Sequence, residues 1–217
     1  MVVSKTELWE NAGKSQAVNL LKSKTKNAMA KMRDQCGTDV YSTNNDAAEG
    51  FNGLKLTVSS AGTAGGIATS DFSGWAGKVS TSTALALSTL DSAMMQPAVG
   101  SDEPDIIVTT KPIFKKLKAL LVANQRFGES ETVKGGFKYL MYNFVPVFHD
   151  SHCPSKHMFI LNSRWLYLYV HKDVNMIVEK IPAIANQVVH IDRVMFGGNL
   201  CTDNRRMHFK YSLLNYT

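Results

Sequence analysis

Histidine and cysteine side chains gather in one short segment and could in principle bind a metal ion. His149, His152, Cys153 and His157 place four nitrogen or sulfur donors within nine residues, and such donors hold zinc in proteins. Their spacing matches none of the common zinc frameworks, and the segment is predicted to be a turn between two strands. A polar turn is therefore the favoured interpretation and no metal ligand is assigned; a metal-dependent enzyme is the alternative.

Two glycine–lysine pairs invite a phosphate-loop interpretation, but their surroundings argue against it. The loop requires another glycine five positions before the pair. Leu8 stands at that position for the Gly13-Lys14-Ser15 triplet, and Phe72 stands there for Gly77-Lys78. Signatures of serine hydrolases and zinc proteases are also absent from the sequence. We therefore predict no catalytic residue, no cofactor and a protein that is not an enzyme.

One segment carries the whole charge imbalance of the 217-residue chain, which has 24 basic and 18 acidic residues. Residues 11–33 contain six cations and no acid, and the rest of the chain is neutral. Apolar residues recur there at three- and four-residue steps, so we predict one long amphipathic helix over residues 11–36. Five cations expected on its remaining arc form the basic stripe: Lys22, Lys24, Lys26, Lys31 and Arg33.

The basic stripe is interpreted as a surface for an anionic partner, with an ordinary solvated helix face as the simpler alternative. Lys22 and Lys26 are like charges four residues apart, which destabilises a helix slightly. Packaged nucleic acid or the acids of a neighbouring chain would relieve that repulsion. No aromatic residue accompanies the stripe, so contacts with nucleic acid are expected to be with phosphates, non-specific and salt-dependent.

The other predicted elements mix helices and strands. Residues 42–83 are rich in glycine, serine and threonine, and we predict turns around a short strand at 54–58. A helix is predicted at 84–96. A buried strand at 105–109 leads into a helix, with Thr110 predicted as its N-cap and Pro112 in its first turn. Its outer side carries Lys115, Lys116 and Lys118. Further strands are predicted at 144–148, 158–161, 165–170 and 188–196.

The strand at 165–170 is apolar on both faces. Trp165, Tyr167 and Tyr169 alternate on one face, and aliphatic residues occupy the other. Such a strand must be covered by two layers, either within one subunit or between subunits. These three aromatic residues are therefore the candidate packing or interface strand. If they lie in the core, replacing Trp165 or Tyr167 by alanine is expected to cost about 3–5 kcal/mol.

Targeting signals are not evident. No stretch approaches the ~20 apolar residues of a membrane span, and the N-terminus lacks the features of a secretory signal. Cys36, Cys153 and Cys201 are far apart and form no C-x-x-C motif, which is typical of free thiols in a reducing compartment. We expect a soluble intracellular protein with no membrane partner.

The order of several segments resembles the major capsid proteins of tailed bacteriophages with the Hong Kong ninety-seven-type fold. NAGKSQAVNLLKSKTKNAM at 11–29 resembles the long spine helix of that family, and 51–67 resembles the segment that follows it. The strand–helix unit at 103–127 and the segments 145–175 and 197–206 continue the series. No single motif is specific; the resemblance rests on this order over nearly the whole chain.

The resemblance implies an α+β phage major capsid fold with a long spine helix, a peripheral domain and an axial domain. The implied parts are a remnant of the extended loop at 1–10, the spine helix of the peripheral domain at 11–36, the axial domain at 37–163, peripheral-domain strands at 164–200 and a return strand to the axial domain at 201–217. Relative to the family pattern, the N-terminal arm and most of the extended loop are lacking, so covalent cross-linking of subunits is not carried over.

The implied function is self-assembly into pentamers and hexamers of an icosahedral shell that encloses double-stranded DNA. The expected location is the virion capsid, assembled in the host cytoplasm. The implied partners are further copies of the chain and non-specifically bound DNA, with a portal, a scaffolding protein and a maturation protease beside them. A basic protein that coats nucleic acid without forming a shell is the alternative function.

Overall fold

The computed structural model describes residues 2–10, 14–43, 50, 52–81, 83–123, 140–182 and 189–216. The chain divides into two compact units, Met1–Gly37 with Tyr169–Asn199 and Thr38–Leu168 with Leu200–Thr217. Each unit is therefore built from two stretches that are far apart in the sequence. No helix among the described residues is long and apolar enough to cross a bilayer.

Helices and strands alternate through most of the described chain. The α-helices are α1 (Lys5–Glu10), α2 (Lys14–Asp39), α3 (Leu54–Thr57), α4 (Leu87–Met95) and α5 (Lys111–Ala123), with 3-10 turns at Ser73–Trp75, Ser163–Trp165 and Arg205–Met207. The strands are β1 (Val2–Ser4), β2 (Thr63–Ala64), β3 (Ile67–Ala68), β4 (Lys78–Thr81), β5 (Ile106–Thr109), β6 (Leu140–Tyr142), β7 (Val145–His149), β8 (Met158–Leu161), β9 (Leu166–Val170), β10 (Ile177–Ile181), β11 (Val189–Met195), β12 (Gly198–Thr202) and β13 (Phe209–Ser212).

The first unit contains a three-stranded antiparallel sheet in the order β1-β11-β10. Val3 of β1 lies opposite His190 of β11 and has no solvent exposure. Glu179 of β10 lies opposite Arg193 of β11, and the two side chains form an ion pair with an Nε–Oε2 distance of 2.6 Å. The unit also holds most of α2, whose 26 residues span about 39 Å.

The second unit is built on a six-stranded mixed sheet in the order β4-β13-β8-β5-β7-β6. β5 and β7 are parallel, with α5 and β6 between them in the chain, and β6 and β7 form an antiparallel hairpin. Ile113 and Leu117, four residues apart on α5, are fully buried in a core that they share with Ile107 and Phe209. The apolar period of α5 therefore positions its lysine-bearing side toward solvent.

The strand–helix unit predicted at 105–109 and Thr110–Pro112 is confirmed. The first bond of α5 runs from the Phe114 N–H to the Thr110 carbonyl over 3.0 Å. Pro112 occupies the first turn, where the N–H that proline lacks would have had no acceptor within the helix. The Thr110 side chain does not cap the helix, because its buried Oγ1 has no hydrogen-bond partner among the described residues.

Several sequence-based boundaries were wrong. The predicted strand at 54–58 is a helical turn, α3, in which Leu54 and Thr57 are buried three residues apart. Alternation over so few residues fits a helical turn as well as a strand. The predicted helix at 11–36 extends to Asp39, and its first three predicted residues lie outside the described part. The predicted helix at 84–96 is shorter, because Ala84 pairs with Asn215 in a β-bridge.

Two further strands begin one residue later than predicted, and in both cases an aromatic residue falls in the turn before the strand. Phe144, predicted in a strand, belongs to the turn before β7, where its φ angle is 65°. Trp165, predicted in the strand at 165–170, lies in the 3-10 turn before β9. The other predicted strands, at 158–161 and 188–196, are confirmed as β8 and β11.

Candidate functional site

The cations of the basic stripe occupy two sides of α2. On a helix with 3.6 residues per turn, Lys22, Lys26 and Arg33 fall within about 40° of one another. Lys24 and Lys31 lie on the opposite side, about 160–180° away. The single stripe predicted from the sequence is therefore two rows, and we call Lys22, Lys26 and Arg33 the cation row.

An acidic residue that sequence analysis missed neutralises one of these cations. The Lys24 ammonium donates to both carboxylate oxygens of Glu7 in α1, at 2.6 and 2.7 Å. Both side chains are partly exposed, so the pair contributes less than about 1 kcal/mol to stability. The three side chains of the cation row are exposed and form no ion pair with any described residue. The cation row is thus available to an external anion.

The aromatic strand is exposed on both faces. Tyr167 is 38% and Tyr169 61% exposed on one face, and Leu168 is 53% and Val170 38% exposed on the other. β9 pairs with β12 and with no other described strand. The described residues therefore do not provide two covering layers for this strand, because such layers would bury these side chains. Coverage by another subunit stays a prediction.

Trp165 has a different environment from the two tyrosines. It is partly buried, and its indole Nε1 makes no hydrogen bond with any described residue. The guanidinium of Arg164 lies 5.4 Å from the centre of its ring, a distance at which cation–π attraction operates. Tyr167 is held by a bond from its hydroxyl to the Arg164 carbonyl over 2.7 Å. The aromatic positions therefore separate into one anchored residue and an exposed tyrosine pair.

The edge strand β10 adds further exposed apolar area in the first unit. Ile177, Val178 and Ile181 each keep more than a third of their surface in solvent. All five residues of β10 are exposed, and β10 pairs with β11 along one side only among the described strands. An exposed apolar edge strand is a template for association with another chain.

The four metal-ligand candidates make separate contacts. The His149 ring packs on Phe114 with ring centres 5.0 Å apart. His152 Nδ1 lies 3.2 Å from an oxygen of Asp150, and His157 Nδ1 lies 2.8 Å from the Ser155 carbonyl. The buried Cys153 thiol faces the His157 carbonyl at 3.7 Å. Among the described residues, no three histidine, cysteine or acidic side chains are grouped to hold a metal.

Asp150 belongs to a hydrogen-bonded pair that the sequence did not reveal. The buried Tyr41 hydroxyl donates to the Asp150 carboxylate over 2.7 Å. Burial raises the pKa of Tyr41, and the bond to Asp150 raises it further. Burial also tends to raise the pKa of Asp150, but bonds from the His152 backbone N–H and from Tyr41 lower it below its usual value. The pair is therefore a neutral phenol bonded to a carboxylate.

A buried arginine organises the polar interior of the second unit. Arg205 has no solvent exposure. Its Nε donates to the Thr57 carbonyl over 2.8 Å, and one terminal nitrogen donates to the carbonyls of Leu56 and Ser59 over 3.0 and 3.1 Å. These carbonyls lie at and beyond the end of α3, where helical backbone bonding stops. Arg205 thus takes the place of the missing backbone donors.

Two more buried ionisable residues lie in β13 and directly before it. The Lys210 ammonium donates to the Lys55 carbonyl over 2.9 Å, and burial, with Lys55 and Arg205 nearby, lowers its pKa to about 8. His208 Nδ1 accepts from the Asn162 backbone N–H, and Nε2 lies 3.1 Å from the Thr202 hydroxyl. Burial lowers the pKa of His208 to about 4. Nothing in the sequence pattern distinguishes these residues from surface ones.

Comparisons with known proteins identify solved structures with a similar architecture. No protein-family model and no curated protein matches the chain. In the cyanophage A-1(L) capsid asymmetric unit, a chain matches with 17% identity and a TM-score of 0.75, covering 99% of this chain and 76% of that one. The cyanophage P-SCSP1u capsid matches with 13% identity and a TM-score of 0.54, covering 100% and 71%.

A chain of an encapsulin complex shares the same architecture. The holo-SrpI encapsulin complex from Synechococcus elongatus PCC 7942 matches with 11% identity and a TM-score of 0.67, covering 100% of this chain and 72% of that one. The chain therefore has the fold of phage capsid proteins, and the predicted Hong Kong ninety-seven-type α+β fold is confirmed.

Proposed function

We propose that this chain is a coat subunit that assembles with further copies of itself into a closed phage-type shell around double-stranded DNA. The observation that carries the proposal is the likeness to the cyanophage A-1(L) capsid chain over 99% of the residues. Because the likeness covers both units, it involves the whole architecture and not one widespread motif. A fold alone does not specify a function, so the surfaces of the subunit must also support the proposal.

The exposed apolar strands support self-association. β9 exposes tyrosine and aliphatic side chains on opposite faces, and β10 exposes three more aliphatic residues. A soluble monomer gains nothing from such exposure, whereas assembly would remove this apolar area from water. Tyrosine is also enriched where protein surfaces meet. We therefore assign β9 and β10 to contacts between subunits.

The cation row supports the proposal that the shell contains an anionic molecule. Lys22, Lys26 and Arg33 present three exposed charges along about 16 Å of α2. Phosphate contacts of this kind are independent of nucleotide sequence and weaken as salt rises. The finer elements of the proposal are an icosahedral shell of pentamers and hexamers, a virion location, a structural role without catalysis, and a portal, a scaffolding protein and a maturation protease as partners.

The domain assignment is also part of the proposal. We assign α2 to the spine helix of a peripheral domain that includes the strands at 164–200. The axial domain comprises 37–163 and the return strand at 201–217. We assign residues 1–10, which include β1 and α1, to the extended loop.

A shell that encloses something other than DNA is the second candidate. The likeness to the SrpI encapsulin complex, with a TM-score of 0.67 over the whole chain, favours it. The two candidates differ in content and not in architecture. A nucleic-acid-coating protein without a shell differs from both, because it would bind DNA as a monomer or small oligomer.

Electron microscopy and analysis of particle content test the proposal. The purified chain is examined by negative staining and sedimentation over a range of protein and salt concentrations, and closed shells or rings are expected. Particles isolated from the cells that produce the chain are then treated with nuclease and extracted. Protected double-stranded DNA supports the capsid; intact shells with a protein content and no nucleic acid support the second candidate. A chain that stays monomeric under every condition refutes both.

A further inference from the structure

An aromatic side chain projects from the tip of the β6–β7 hairpin. Tyr142 pairs with Val145, so the hairpin loop consists of Asn143 and Phe144 alone. Their φ angles are 48° and 65°, as a two-residue type I′ turn requires. Phe144 is 94% exposed and is the most exposed large apolar residue in the described part of the chain.

Phenylalanine is a poor choice for this backbone position. The left-handed conformation brings a side chain close to the following carbonyl, so glycine is strongly preferred at the second turn position. Because so little of its surface is covered, Phe144 makes no buried contact with the described residues that would compensate. Backbone strain that the subunit does not need is a signature of functional sites.

The tip is also held rigidly. The Tyr142 hydroxyl, on a buried ring, donates to the Asp91 carboxylate over 2.6 Å and lies 3.2 Å from the Leu87 carbonyl. The Asn143 amide donates to the same Asp91 oxygen over 3.1 Å. Both residues that precede Phe144 are thus fixed to α4. A preorganised aromatic anchor loses little freedom when it binds.

A matching cavity lies at the other end of β7. A surface cavity of about 500 Å³ is lined by Pro112, Phe114 and His149, with lysine side chains at its rim. The rings of Phe114 and His149 form its aromatic wall, tilted by 49° with centres 5.0 Å apart. Aromatic walls favour an inserted aromatic ring. The ammonium groups of Lys111, Lys115 and Lys118 can approach the face of that ring as cations.

The geometry prevents one chain from filling its own cavity. Phe144 directly precedes β7 and His149 is its last residue, which places them roughly 16 Å apart at 3.2–3.4 Å per residue. A tip and a cavity at opposite ends of one strand can meet between copies in two ways, reciprocally across a two-fold axis or head to tail. The pentamers and hexamers proposed above require the head-to-tail arrangement. Head-to-tail contacts generate closed rings when the rotation between copies closes.

We infer that Phe144 of one copy inserts into the Phe114–His149 cavity of the next copy and so links subunits into rings. The inference rests on the proposed function, because it requires that copies associate. It goes beyond that function by naming the two surfaces and the polarity of their contact. Phe144 acts as the anchor, and the cavity supplies an aromatic wall with a cationic rim.

Glycine at the tip separates the roles of Phe144 in the subunit and in the assembly. Phe144→Gly relieves the backbone conformation, so the urea midpoint of the subunit is expected to stay unchanged or to rise. The protein concentration at half-assembly is expected to increase by about tenfold or more, as for the loss of an aromatic hot spot. Sedimentation velocity across a dilution series measures both the rings and the free subunit.

Leu213→Gly is the matched control. Leu213 is also apolar, exposed and left-handed, with a φ angle of 55° and 55% exposure. Its replacement is expected to relieve a similar conformation without changing the half-assembly concentration. Normal assembly of Phe144→Gly alongside this control would overturn the inference and leave the proposed function intact. A wild-type chain that never associates would overturn both.

Cysteine cross-linking tests the polarity of the contact. A chain that carries both Phe144→Cys and Lys115→Cys is expected to form a ladder of disulfide-linked oligomers under mild oxidation. Each single variant is expected to show only the background of the wild-type chain, because a tip never meets a tip. Dimers of the Phe144→Cys variant, or assembled double-variant chains without a ladder, would contradict the head-to-tail contact.

Discussion

The Arg205→Ala substitution is expected to destabilise the second unit severely. The wild-type side chain is fully buried and donates to three carbonyls at 2.8, 3.0 and 3.1 Å. A hydrogen bond that involves a charged group contributes roughly 1.5–3 kcal/mol to stability. Burial of the guanidinium, which lowers the pKa of Arg205, offsets part of that sum. The net loss is expected to be about 3–5 kcal/mol, because three carbonyls lose their donor and each unsatisfied buried acceptor costs about 1–3 kcal/mol.

Urea unfolding followed by circular dichroism measures this loss. With a denaturant slope of about 2 kcal/mol per molar, the midpoint is expected to fall by roughly 2 M. The experiment is done at protein concentrations where the midpoint no longer depends on concentration, so that assembly does not contribute. Arg206→Ala is the matched control, because the Arg206 side chain is exposed. Substitutions at exposed positions usually change stability by less than about 0.5 kcal/mol.

Arg205→Lys distinguishes the geometry of the guanidinium from its charge. A lysine keeps the positive charge but lacks the rigid fork of donors that reaches several acceptors at once. It is expected to recover only part of the lost stability. An Arg205→Ala variant within about 1 kcal/mol of wild type, with the same denaturant slope, would refute the role of Arg205 as the organiser of α3.

Three further outcomes follow from the described surfaces and the buried histidine. Tyr169→Ala is expected to change subunit stability by less than about 1 kcal/mol, because the side chain is 61% exposed, while it weakens assembly in a dilution series. Burial lowers the pKa of His208 from 6.5 to about 4, so its contribution to the free energy of unfolding is fully present above pH 6.5. About 3 kcal/mol of this contribution is expected to be lost as the pH falls to 4. In urea titrations, His208→Gln is expected to remove this dependence of stability on pH. Replacing Lys22, Lys26 and Arg33 together by glutamine is expected to weaken DNA binding and to reduce its salt dependence by up to about three charges in filter-binding assays.

Each of these outcomes has a direct counter-result. Loss of several kcal/mol in Tyr169→Ala would mean that β9 is part of the subunit core. An unchanged acid slope in His208→Gln would assign the pH dependence to other groups. A variant in which Lys24 and Lys31 are both replaced by glutamine is the control for the cation row, because these residues lie on the other side of α2. An equal loss of DNA binding in the control would show that net charge matters and that the row does not.

Local signals predicted the elements whose formation depends on neighbouring residues. The strand predicted at 105–109 is β5, and the helix after it was predicted because Pro112 suits a first helical turn and Ile113 and Leu117 recur with the helical period. The same reasoning failed for residues 54–57. Alternation across so few positions does not distinguish a strand from a helical turn, and the deciding contact, Arg205, lies almost 150 residues away.

The candidate surfaces also have some features that the sequence predicted and others that it did not. The sequence was sufficient to locate the excess positive charge in α2 and the doubly apolar pattern of residues 165–170. It did not reveal that Glu7 pairs with Lys24 or that β9 is exposed on both faces. An apolar pattern indicates that a strand will be covered, but the pattern contains no information about which chain covers it.

The sequence by itself determined the composition of the chain, the helical and strand periods of its longer elements and the position of its charge. Backbone preferences and side-chain periods act within a few residues, so the local sequence contains them. Only the tertiary structure decided that β1 pairs with β11, that Arg205 bonds to the residues around α3, and that Phe144 and the Phe114–His149 cavity lie at opposite ends of β7. These arrangements depend on contacts between distant segments, and no local preference specifies which distant segment is the partner.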